Sequence, residues 1–64
     1  MSWVERTLVL PTRTARDPAD PRLLHAFRPV PERDGRILRV VYDPTVKPWR
    51  VVTAFFDRKE SREG

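Results

Sequence analysis

The sequence has no cysteine, one histidine and two glycines among its 64 residues. Without thiols there is no disulfide and no thiolate metal site. A lone imidazole is too little for a histidine-based metal centre. Gly35 and Gly64 stand far apart, so no glycine-rich phosphate loop exists, and no nucleophile elbow or paired-carboxylate motif appears. Long apolar runs are also missing. The longest, "VVTAFF", falls far short of a membrane span. "MSWVERTLVL" places Glu5 where a secretory leader would be apolar or basic. These absences predict a cytoplasmic protein with no cofactor and no membrane contact. A chain this short has little room to enclose a deep pocket, which disfavours ordinary enzyme classes. Its single core rarely supplies more than about 3–5 kcal/mol. With disulfides and metals excluded, the remaining support is a partner, most simply a second copy.

What is abundant is arginine and proline. The formal net charge is +4, and all but two of the thirteen cations are arginine. That balance is compatible with an RNA or DNA partner. The cations are scattered along the whole chain rather than gathered in a stripe, as an arginine-rich coding bias would also leave them.

The order of elements is legible. Ser2 followed by Glu5 spells a capping box, which starts a short helix with Val4 and Leu8 on one face. Pro11 ends it. "TRTAR" suits a short edge strand, and "DPADP" a turn. "LLHAFRPV" is a strand running into Pro29 and Pro31. "PERDG" is a turn with Gly35 at a positive-φ position. "RILRVVYD" and "WRVVTAFFD" are the strongest strands, rich in β-branched and aromatic residues. The expectation is a single α+β domain over residues 1–58. In it, one short N-terminal helix packs on an antiparallel meander of three to four strands. Residues 59–64 form a charged flexible tail.

Loop lengths set Val30 opposite Arg36, and Tyr42 opposite Arg50, with Val40 facing Val52 and Leu38 facing Ala54. Alternation then divides the side chains between two faces. The first face carries Leu24, Ala26, Leu38, Val40, Tyr42, Val52, Ala54 and Phe56, a seat for the helix. The second is apolar as well, and no helix remains to cover it. Six of its side chains, Leu23, Phe27, Ile37, Val41, Val51 and Phe55, would each gain roughly 1.5–3 kcal/mol from burial. The sum rivals the stability of a whole domain. These six are therefore the expected interface of a homodimer. The competing expectation is that residues 11–22 fold over that face.

The stretches "WVERTLVLPTRTARDPADP" and "GRILRVVYDPT…PWRVVTAFFDR" resemble a family of small bacterial domains of unknown function. "LRVVYDP" and "RVVTAFFDR" are the most specific parts. That family is loosely similar to the RelE-like and BrnT-like toxins of toxin–antitoxin pairs. The resemblance implies helices on an antiparallel sheet, an antitoxin partner, and RNA cleavage in several members. Family members carry a further helix ahead of "WVERTL", bearing a His and an Arg. The present chain starts at that point, so a dimerising member without catalysis is expected.

Metal-independent RNA cleavage needs a base for the 2′-OH proton, cations for the phosphorane-like charge and an acid for the leaving oxygen. The candidates are His25, Arg39 and Arg50. His25 equally reads as a strand residue without a role. Arg39, among valines, either clamps a phosphate or pairs with Asp57 or Glu32. Arg28, Trp49 and Arg58 are the candidates for nucleic-acid contact, with Trp49 either stacking on a base or plugging the end of the core. Three readings stay open: a dimerising module without catalysis, an endoribonuclease toxin, and a basic nucleic-acid-binding module.

Overall fold

Ser2 and Glu5 close the capping box. Ser2 Oγ accepts from the Glu5 N–H at 3.1 Å, and Glu5 Oε1 accepts from the Ser2 N–H at 2.9 Å. Helix α1 (Trp3–Val9) follows, in a computed structural model that describes residues 2–57. Arg58 and the expected tail lie outside the described residues. Four strands complete the chain: β1 (Arg13–Arg16), β2 (Leu24–Val30), β3 (Arg36–Asp43) and β4 (Arg50–Phe56). They form one antiparallel sheet in the order β1-β2-β3-β4. This is the α+β architecture the sequence predicts, with "TRTAR" as a true edge strand.

The first hairpin has the expected register, with Val30 opposite Arg36. A 3-10 turn over Pro31–Arg33 leads into it, and Gly35 takes φ 73° as its position requires. Asp34 shares the left-handed region at φ 58°, which the sequence alone does not announce. Pro29 lies inside β2 and costs no ladder bond. The Thr12 N–H donates to the Phe27 carbonyl, so Phe27 and, by alternation, Pro29 point their backbone groups toward β1. β1 pairs no further than Phe27, so the missing N–H has no strand to meet.

The second hairpin departs from the expected register. Asp43 faces Arg50, Tyr42 faces Val51, Val40 faces Ala54 and Leu38 faces Phe56. A β-bulge at Val41/Tyr42 absorbs the difference and leaves Val52 without a partner on β3. The loop length alone does not reveal such a bulge. Thr45 sets the turn instead, donating its backbone N–H to Asp43 Oδ1 at 2.9 Å.

Helix α1 sits on the first face, as expected. Val30, Leu38 and Val40 form the buried cluster, with Trp3, Val4, Leu8 and Phe56 packed against it. Thr7 is fully buried on the same side and donates its hydroxyl to the Trp3 carbonyl at 2.8 Å. Val52, expected in this core, is 46% exposed and has no partner on β3.

Candidate functional site

The face opposite α1 gathers most of the candidate residues. One row crosses all four strands: Arg13 is level with Phe27, Phe27 with Arg39, and Arg39 with Phe55. Cation and ring alternate along it. The Arg13 guanidinium lies 4.1 Å from the Phe27 ring centre, and that of Arg39 lies 4.7 Å from Phe27 and 5.8 Å from Phe55. Phe27 is thus enclosed between two planar cations and is 3% exposed. Ile37 and Val41 are buried as well.

This changes the expectation of an uncovered second face. Three of the six expected interface residues, Phe27, Ile37 and Val41, are covered inside one protomer. Over Phe27 the cover is the guanidinium groups of Arg13 and Arg39, and β1 widens the sheet beside β2. Of residues 11–22, those from 13 to 16 join the sheet as β1, and Arg13 among them supplies part of that cover. Leu23 is half-buried beside the start of β2. Val51 faces Tyr42 beyond the bulge, on the helix side of the sheet. Phe55 stays 44% exposed.

His25 lies one row from Phe27, with ring centres 6.4 Å apart. Its Nε2 sits 2.6 Å from Asp17 Oδ1, in a half-buried pair. Asp17 follows β1 and is held by its own turn, its Oδ2 accepting from the N–H groups of Ala19 and Asp20. The hydrogen bond from His25, then that from the Asp20 N–H, holds the Asp17 carboxyl below the usual carboxylate range. Asp17 escapes sequence reasoning because His25 is eight residues away along the chain. The signal was there: an Asp ending a strand that pairs with the strand of His25.

A lowered carboxyl pKa adds stability above the unfolded value, about 3.9, and loses it as pH falls through the folded value. The stability gap between wild type and Asp17→Asn is therefore expected to be full near neutral pH and to shrink in acid. Urea titrations across that range measure it, and a gap that widened below pH 4 would contradict the pairing.

Arg39 pairs with Asp57, Nη2 to Oδ2 at 2.6 Å, which resolves the alternative with Glu32. Glu32 pairs with Arg6 instead. His25 and Arg39 both flank Phe27, each already holding a carboxylate. Arg50 stands apart at the far end of β4, opposite Asp43. With Nε2 given to Asp17, only Nδ1 of His25 is left for proton transfer.

The candidates for nucleic-acid contact disperse. Arg28 lies on the helix side, and its Nη1 donates to the Leu10 carbonyl at 2.7 Å, closing the end of α1. Trp49 stacks on Tyr42, with ring centres 5.0 Å apart, and keeps its outer side exposed. Beside it an open groove of about 420 Å³ runs between the end of α1 and the β3–β4 loop, lined by Leu8, Val9, Pro48 and Trp49. Among the described residues, no three His, Asp or Glu side chains gather as a metal site, and no helix is long and apolar enough to cross a membrane. No protein-family model, no curated protein and no solved structure matches the chain.

Proposed function

We propose that the chain is a self-associating module of the RelE-related toxin type, working in the cytoplasm without catalysis of its own. The observation that carries this reading is the exposure of apolar side chains on both sides of β4, an edge strand of the sheet. Val51, Val52 and Phe55 each leave more than 40% of their surface open, as does Trp49 just before the strand. Covering the remainder would stabilise by roughly 1 kcal/mol per side chain, about half of what full burial gives. A small domain gains from covering an edge strand that is apolar on both sides. The two strongest catalytic candidates, His25 and Arg39, are each already paired with a carboxylate.

Light scattering across micromolar concentrations tests the reading. The expected mass is twice that of one chain, and Phe55→Asp is expected to return it to the monomer without loss of the circular-dichroism signal. A wild-type mass of one protomer at every concentration overturns it.

The row Arg13–Phe27–Arg39–Phe55 favours a second reading, an RNA-binding sheet face. Arginine planes and an exposed phenylalanine stack unpaired bases, and the cations meet phosphates. Such binding would fall steeply with salt and weaken in Arg13→Ala.

A further inference from the structure

We propose that the groove between α1 and the β3–β4 loop binds a monocarboxylic acid with an apolar chain, its carboxylate on Lys47 and its chain against Leu8, Val9, Pro48 and Trp49. The described residues that line the groove all lie outside β4, so the site does not depend on the self-association above.

Local chemistry builds both walls. On α1, Glu5 stands three residues before Leu8 and four before Val9, a spacing that puts all three on neighbouring positions of one helix side. Leu8 packs on the core cluster, while Val9 is 61% exposed. On the other wall, Trp49 stacks on the buried Tyr42, with ring centres 5.0 Å apart. The indole is thus seated on the core before anything binds, and it stays 42% exposed. The volume, about 420 Å³, falls within the ~300–1,000 Å³ common for small-molecule sites. Apolar walls with few polar groups are the usual form of such a site.

Charge selects the occupant. Two ionised side chains line the groove, Glu5 and Lys47. Glu5 is engaged at the start of its helix, where Oε1 accepts from the Ser2 N–H at 2.9 Å and closes the capping box. Lys47 is exposed, with its ammonium 5.9 Å from the centre of the Trp49 ring. No carboxylate of the described residues pairs with it. Apolar walls beside one uncommitted cation complement an apolar body with one anionic head. The net charge of +4 adds a general attraction for anions. Glu5 repels a second anionic group from the α1 wall, so a monoanion fits where a dianion does not. An alkylammonium head would meet the like charge of Lys47.

The two parts of the ligand contribute separately. An open groove covers roughly half of each methylene, so affinity should rise about twofold per added methylene. The ion pair with Lys47 is exposed and adds roughly two- to fivefold.

Proton–nitrogen NMR of the full chain, titrated with sodium decanoate below its micelle-forming concentration, tests the site. Saturable shifts are expected at the Trp49 indole N–H and at the amides of Leu8, Val9 and Lys47. Octanoate should bind about fourfold more weakly, two methylenes shorter. Decylamine and decanedioate should bind more weakly than decanoate. Lys47→Gln is expected to weaken decanoate roughly two- to fivefold, and Lys47→Arg to restore it. Lys47 is exposed, so both variants keep the fold. Shifts that never saturate, or that fall on β4 or across the sheet instead, overturn the site. Equal affinity for decanoate and decylamine, or an unchanged affinity in Lys47→Gln, overturns the choice of ligand. A single-protomer mass by light scattering overturns self-association alone and leaves this site standing.

Discussion

Phe27→Ala is expected to unfold the chain. The ring is enclosed by Arg13 and Arg39 and is almost fully buried on the sheet face that carries no helix. Truncating a buried phenylalanine costs about 3–5 kcal/mol, through lost transfer energy and the cavity left behind. A chain of this length has roughly that much stability in total. Arg13 and Arg39 would also lose the ring they share. Circular dichroism at room temperature should show most of the signal lost. The matched control is Phe55→Ala on the same row, where close to half the ring is open. That variant is expected to keep its fold and its urea midpoint within a small margin. If Phe27→Ala unfolds no more readily than Phe55→Ala, the arginine cover does not hold the face together.

Leu38→Ala carries the second large effect. Leu38 is 4% exposed, next to Val30 and Val40, with Trp3, Val4, Leu8 and Phe56 closing over the cluster. The expected loss is about 2–5 kcal/mol. Helix α1 is too short to persist in water once its seat is weakened, so helical signal should fall together with the tertiary signal. Val52→Ala makes the comparison informative. The register read from loop length puts Val52 in this core, opposite Val40, whereas the bulge gives that place to Ala54. With Val52 nearly half exposed, its truncation is expected to cost about 0.5 kcal/mol or less, as at other surface positions. Equal losses from the two variants in urea titrations would restore the unbulged register.

The outline of the fold was legible because it depends on local chemistry. The Ser2–Glu5 spacing starts a helix wherever the rest of the chain goes. The β-branched runs at residues 36–43 and 50–56 make strands, and Gly35 permits the sharp return between β2 and β3. Proline at 29 and 31 marked where β2 would run out of neighbours. The candidate site was legible only in its residue types. His25 and Arg39 were identifiable as groups needing partners, and Asp57 stood among the options for Arg39. Arg28 and Trp49 looked equally suited to nucleic acid, but one closes a helix end and the other stacks on Tyr42. No periodicity distinguishes an arginine that meets a phosphate from one that caps a carbonyl.

By itself the sequence determined which segments become helix or strand, their antiparallel order, and the presence of apolar side chains on both sides of the sheet. Those properties follow from capping, β-branching and a period of two, all of which act within a few residues. Only the tertiary structure decided how the second side is covered. Arg13 and Arg39 reach Phe27 from neighbouring strands, and Asp17 reaches His25 from the turn beyond β1. Only it placed the bulge that leaves Val52 without a partner on β3, and the exposure of β4 along the edge of the sheet. Long side chains and strand registers bring together residues distant in the chain, and pairwise geometry of that kind has no signature in a linear pattern.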